Sequence, residues 1–308
     1  MLTPRENLKL IGYEKERDAF LNAFHSDRFS HAWIIAGAFG SGKATFAFHM
    51  ARYILSGRQD KNTIFLENDP LHRRIVVQSH ADLWVLGDEE TREIGVESVR
   101  NLNNFLTQTA GEGGWRVIIV DGAEALNRNA ANALLKRLEE PPPKTVFFLI
   151  TSSPRRLLAT IRSRCQLLTL ASLKDENVRN ILQSQGVSSS FKEGTPGQIM
   201  RCMEGKGPQI QEELEKILEG APTASFIRSY GGDETSYELI ETLLRNFLHT
   251  HLLAKINEKA SFFKDASIEQ ALAIYEKIEQ LFDQCHNAQL DKRTTLLCAL
   301  ASLENRKI

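Results

Sequence analysis

The chain has 308 residues, 42% of them hydrophobic and 25% charged, a length and balance that suit two or three water-soluble globular domains. A net charge of −1 argues against a protein whose main business is gripping nucleic-acid backbone. No apolar run approaches the roughly 20 residues that cross a bilayer, so no membrane partner is expected.

The start, MLTPRENLKL, carries charges and no apolar segment of the secretory kind, so a cytoplasmic location is expected. Residues 1–171 then alternate β-like and helix-like runs. The β candidates are 32–37, 83–87, 116–122, 145–151 and 165–170. Most are continuously apolar, as strands buried on both faces of a parallel sheet are. Helices are expected at 14–24, 43–55, 95–107 and 129–140, the last ended by the prolines of EEPPPKT. The pattern predicts an α/β domain with covered sheet faces. This segment holds 22 Lys/Arg against 19 Asp/Glu, so any DNA contact should be a local feature of it.

Between the first strand and the second helix stands AGAFGSGKAT. Gly37, Gly42 and Lys43 have the spacing of a phosphate-binding loop, and Gly40 lies between them. In such a loop the glycines let backbone N–H groups converge on phosphate oxygens, and the lysine neutralises the terminal phosphates. The next residue should carry a hydroxyl for Mg²⁺, yet it is Ala44. Thr45 comes one residue late and points about 100° round the helix. The apolar run VIIVDGAEAL ends in Asp121, the position of a Mg²⁺-holding carboxylate. Gly122 follows where a working ATPase carries a water-orienting Glu. Glu124 reads as a solvated loop carboxylate. In TIRSRCQ, Arg162 and Arg164, with Arg155 and Arg156 nearby, form either a basic surface patch or an arginine finger for a neighbour's γ-phosphate.

After Leu170 the strand pattern stops. Ser172 to Asp175 has the form of a capping box opening a helix that runs to Gly186, and 186–198 is a loop by composition. Helices near 197–203 and 208–219 complete a small helical domain, 172–221. GAPTAS (220–225) reads as a linker. From 235 the chain reads as helices with three apolar stripes: Leu239 to Leu252, Ile268 to Phe282, and Leu296 to Leu303. They predict an all-α domain over 222–308. Cys165, Cys202, Cys285 and Cys298 form no C-x-x-C pair or zinc spacing, so reduced thiols and no metal site are expected. His249 and His251 read as surface residues.

The stretch NRNAANALLKRLEEPPPKTVFFLITSSPRRLLATIRSRCQ, with NALLKRLEEPP and the triplet Ser163-Arg164-Cys165 inside it, resembles the signature of bacterial clamp-loader subunits of DNA polymerase III. The likeness covers residues 1 to about 200 well. The delta-prime members are a closer match than the ATP-hydrolysing gamma/tau members. The latter carry Ser or Thr after the loop lysine, Glu after the strand Asp, and an arginine in the helical lid. This chain has Ala44, Gly122 and Gly197 there. The resemblance implies an AAA+ P-loop-like domain (1–171), a helical lid (172–221) and a helical collar (222–308). It implies no ATP turnover by the chain itself, in a subunit of a DNA-directed DNA polymerase holoenzyme. Gamma/tau-like ATPase subunits and a delta subunit are the implied partners in a hetero-pentameric ring that loads a sliding clamp on primed DNA. Arg164 would act in trans on a neighbour's ATP. A self-sufficient AAA+ ATPase, gamma/tau-like or a helicase loader, is the competing reading, and ATP or ADP binding in the altered loop stays open. The resemblance also implies a four-cysteine zinc module between the loop helix and the second strand. No cysteine occurs between 56 and 90, so no zinc is expected.

Overall fold

The structure is a computed structural model, and it describes residues 2–26, 29–60, 63, 65–88, 91, 93–107, 110–111, 114–187, 194–257, 261–263, 266–288 and 290–304. It divides into two compact units, Met1–Asn177 and Val178–Ile308.

In the first unit the elements run α1 (Glu14–Phe24), β1 (Ala32–Ala36), α2 (Lys43–Ser56), α3 (Pro70–Val76), β2 (Leu83–Leu86), α4 (Val96–Thr107), β3 (Arg116–Val120), α5 (Arg128–Glu139), β4 (Thr145–Thr151), α6 (Ala159–Arg162) and β5 (Gln166–Thr169). Each expected strand is present, β4 over the expected 145–151 and the other four shorter by one or two residues in all. The strands form one parallel sheet in the order β2-β3-β4-β1-β5. The expected helices are present too, and the sequence reading missed α3, which Asp69 caps by accepting from Leu71 N–H at 2.9 Å.

Successive side chains of a strand point to opposite faces. Trp33, Ile35, Ile119 and Phe148 therefore face one layer with Phe20, Phe46 and Met50 of α1 and α2. Ile34, Ile118, Phe147 and Leu149 face the other, with Leu102 of α4 and Leu134 and Leu138 of α5. Every residue of β1, β3 and β4 is buried, which is why their sequences are apolar apart from Arg116, Thr145 and Thr151 at strand ends. Strand β5 is an edge, and Leu167 on it is 56% exposed.

The helix expected to open at Ser172 opens at Asp175, as α7 (Asp175–Ser184). In the second unit follow α8 (Pro196–Met203), α9 (Gly207–Leu218), α10 (Thr223–Tyr230), α11 (Glu234–Ile256), α12 (Ile268–Ala288) and α13 (Lys292–Glu304). Of the expected loop 186–198, residues 188–193 lie outside the described residues. Its end forms a capping box, in which Thr195 Oγ1 accepts from Gln198 N–H at 3.3 Å and Gln198 Oε1 accepts from Thr195 N–H at 3.0 Å. The linker-like 220–225 runs into α10, whose Phe226 and Ile227 are buried.

Cys202, Ile210 and Leu214 of α8 and α9 share one core with Ile240, Leu244, Ile278, Phe282 and Leu300. The two helical segments distinguished by composition thus pack as one body. Most stripe residues are inside it, while Ile268, Leu272 and Leu297 turn outward. His251, expected as a plain surface residue, accepts from Phe262 N–H at 2.9 Å and so closes the α11–α12 connection.

Candidate nucleotide cradle and arginine site

The loop after β1 has the backbone of a phosphate cradle. Gly40 and Gly42 sit at φ 69° and 91°, a region that costs an L-residue roughly 1–2 kcal/mol, and Gly42 is the N-cap of α2. A Cβ on Gly37 would stand 3.0 Å from Leu170 O. Tyr13 O–H donates to Ser41 O at 2.8 Å, and burial pushes the phenol up to about 12. Ser41 Oγ is itself buried, with no hydrogen-bond partner among the described residues.

Lys43 starts α2 and is 6% exposed. Its ammonium donates to Ala38 O at 2.7 Å and to Ser152 Oγ at 3.1 Å. Ser152 N–H in turn donates to Glu124 Oε1 at 3.1 Å. The other oxygen of Glu124 is buried, with no hydrogen-bond partner among the described residues. Glu124 is therefore tied to the end of β4, a correction of the solvated-loop reading. Ser152 was missed in the sequence, where its only signal is its place directly after an apolar strand. Ala44 packs its methyl against the core, and Thr45 is half-buried on the next position of α2.

Asp121 follows β3 directly and donates its N–H to Leu86 O at 2.8 Å. Gly122 lies at φ 69° and ψ 47°. A Cβ there would be 3.3 Å from Asp88 O. The turn that ought to carry a water-orienting carboxylate therefore has a backbone that disfavours any side chain.

The arginines lie elsewhere. Arg164 follows α6 and precedes β5. Its Nη1 donates to Thr160 O at 3.1 Å and Ser163 Oγ at 3.3 Å, and its Nη2 pairs with Glu139 Oε1 at 2.5 Å. Arg162 Nη1 donates to Arg155 O at 3.1 Å and Leu157 O at 2.9 Å, so this arginine holds the preceding turn. Arg155 and Arg156 are exposed. Burial pushes the Cys165 thiol up to about 12, which makes it unreactive near neutrality.

Register fixes how these parts relate. Gln166 is level with Trp33, at the start of β1, and the cradle follows the end of β1 at Ala36. Asp121 and Ser152 follow the ends of β3 and β4. Glu139 precedes β4 as Arg164 precedes β5. The cradle, Asp121 and Ser152 thus stand at the carboxyl edge of the sheet, and Arg164 with Glu139 at the amino edge. A strand of five residues puts roughly 13 Å between the edges. Among the described residues no group of three or more His, Cys, Asp or Glu side chains is placed to hold a metal ion.

A parallel α/β domain with a glycine cradle and a lysine turned into that cradle defines a P-loop-like protein. Residues 13–174 match the family described as DNA polymerase III, delta subunit. The chain is 34% identical over 214 residues to DNA polymerase III subunit delta' of Pseudomonas aeruginosa, covering 69% of this chain and 60% of that one. It is 33% identical over 205 residues to the Escherichia coli K12 protein of the same name, covering 64% and 61%. A DNA polymerase III gamma subunit-related protein of Thermotoga maritima superposes with a TM-score of 0.47 at 19% identity, covering 96% of this chain and 100% of that one. The chain belongs to the DNA polymerase III delta subunit family and is similar to its delta-prime members. It spans about 60% of the length of these two delta-prime relatives.

Proposed function

We propose that this chain is a delta-prime-like stator of the clamp loader. It turns over no ATP itself and presents Arg164 to the ATP of a neighbouring gamma/tau-like subunit. The observation that carries this reading is the position of Arg164 across the sheet from its own cradle. An arginine there serves no phosphate held at Lys43, and it remains 35% exposed for another chain. Three features support the loss of turnover. Ala44 offers no oxygen to Mg²⁺, Gly122 offers no carboxylate, and the donors of Lys43 are engaged by Ala38 and Ser152. Gly197, at the lid position where hydrolysing relatives carry arginine, lies in the first turn of α8.

In this reading 172–221 is a lid and 222–308 a collar that joins the gamma/tau-like and delta subunits in a ring. The complex opens a sliding clamp and closes it on primed DNA. The chain holds no zinc and needs no bound nucleotide. One zinc per purified chain would overturn that part.

The test is reconstitution with the ATPase subunits, delta and clamp. Arg164→Ala should assemble normally and lower clamp-stimulated ATP hydrolysis by the share of one site. Fingers contribute about 10³ to 10⁵ at the site they serve, so that site falls silent while the others continue. Clamp loading, which needs the sites in concert, should fall further. Arg164→Lys should rescue poorly, because an ammonium lacks the planar fork. Arg156→Ala is the control, since Arg162 has a structural task. Normal loading by the Arg164→Ala complex would overturn the reading.

A further inference from the structure

We propose that Glu139 is the positioning residue of Arg164: it fixes the guanidinium so that its remaining N–H groups face a phosphate on the neighbouring subunit. The inference rests on the trans role of Arg164 proposed above.

A guanidinium has five N–H donors in a rigid fork. Two of Arg164's are directed to Thr160 O and Ser163 Oγ, and one to Glu139. Among the described residues Nε–H and the second Nη2–H have no further acceptor, which leaves them for an outside anion. The contacts to Thr160 and Ser163 lie on Arg164's own turn and would move with it. Glu139 is different, because it is the last residue of α5, a separate element. That helix is bolted to the sheet by Leu134 and Leu138, which are 0% and 1% exposed. Its cap is tied as well, with Asn127 Oδ1 accepting from Ala130 N–H at 2.9 Å. Pro141, Pro142 and Pro143 follow at once and restrict the chain beyond it. The backbone that carries this carboxylate is therefore fixed, and a long, half-exposed arginine side chain is held against it.

Helix stability does not account for a carboxylate there. Position 139 is at the C-terminus of α5, where the exposed carbonyls carry partial negative charge and a carboxylate is unfavourable. Glu140 adds a second one. The arginine is what Glu139 is paired with, so its removal should cost the fold little and the finger its orientation. The pair is also weak enough to permit exchange, since both side chains are about one-third to two-fifths exposed, at 35% and 42%. A phosphate dianion arriving from the neighbour would meet a guanidinium already aimed and only partly neutralised.

The experiment is a double-mutant cycle in the reconstituted complex, reading clamp-loading rate and the kcat and KM of clamp-stimulated ATP hydrolysis. Glu139→Ala should lower loading roughly two- to fivefold, the scale of an exposed ion pair. The loss should fall in kcat at saturating ATP with KM unchanged. Glu139→Gln, which keeps an acceptor of the same length, should rescue part of it. In an Arg164→Ala background Glu139→Ala should change nothing further. The thermal midpoint of the isolated Glu139→Ala chain should be unchanged or slightly raised. An undiminished loading rate in Glu139→Ala, where Arg164→Ala does reduce it, overturns the positioning role alone. So does a Glu139→Ala loss that persists without Arg164. Full loading by Arg164→Ala overturns the finger reading, and the positioning role falls with it.

Discussion

Lys43 and Ser152 stand 109 residues apart in sequence, and their side chains meet at 3.1 Å over the phosphate cradle. With Glu124 on the backbone of Ser152, the end of β4, the turn after β3 and the start of α2 are linked by one polar chain. The lysine that would meet a phosphate is instead part of the loop's own structure.

That assigns Lys43 a stability role in the absence of ligand. Lys43→Met should lower the unfolding free energy of the nucleotide-free chain by about 1–3 kcal/mol, the range for losing charge-assisted hydrogen bonds at a buried site. Urea unfolding measures it. Saturating Mg-ATP should add little to the wild-type chain. A ligand at a hundredfold its Kd would add about 2.7 kcal/mol, and an increment of that size would mean that the cradle still takes nucleotide.

Restoring the missing carboxylate should fail for a backbone reason. Gly122→Glu puts an L-residue at φ 69° with its Cβ 3.3 Å from Asp88 O. A cost of roughly 1–2 kcal/mol is expected from the left-handed conformation alone. Gly122→Asn should cost less, because Asn tolerates that region. Gly122→Glu combined with Ala44→Thr should still give background ATP hydrolysis in the isolated chain. Turnover approaching that of a working motor subunit would contradict the assignment of the turn.

His49 gives the first unit a defined acid sensitivity. Burial holds its imidazole at about 4, with the Arg52 guanidinium adding repulsion, and Nδ1 is buried without a hydrogen-bond partner. The ordinary value is about 6.5, so between the two the unfolded chain binds a proton that the folded chain refuses. Stability from this group is full above pH 6.5 and falls as pH drops toward 4, by at most about 3 kcal/mol. His72 on α3 is lowered too, chiefly by burial, and adds in the same direction. The difference in unfolding free energy between pH 7 and pH 4.5 should shrink in His49→Gln. An unchanged difference would show that the imidazole is protonated in the fold.

The cores predict where the chain can be cut. Residues 1–177 hold two complete apolar layers on one sheet, so a chain ending at Asn177 should unfold cooperatively. A chain ending at Ala221 should fare worse. It would retain α8 and α9 with Cys202, Ile210, Leu214 and Ile217 stripped of the α10–α13 residues that cover them. Aggregation or dye binding to exposed apolar surface distinguishes the two. Equal behaviour of both fragments would separate 178–221 from the collar core.

The sequence alone determined the local parts of this protein. Apolar runs such as TVFFLIT announced strands buried on both faces, and the glycines at 37, 40 and 42 announced a tight turn at the start of a helix. These features are legible because each is set by residues a few positions apart, through side-chain periodicity or backbone conformation. A short helix such as α10, entered from Pro222, escaped because its eight residues begin inside a stretch of linker-like composition. The pairings were decided only by tertiary structure. Lys43 meets Ser152, Glu124 meets Ser152, and Arg164 meets Glu139, each across loops that no periodicity encodes. So was the placing of cradle and arginine on opposite edges, since it depends on β5 pairing with β1 in one register. Strand order arises from burying the apolar residues of all five strands together, and a property of that whole packing is written at no single position of the chain.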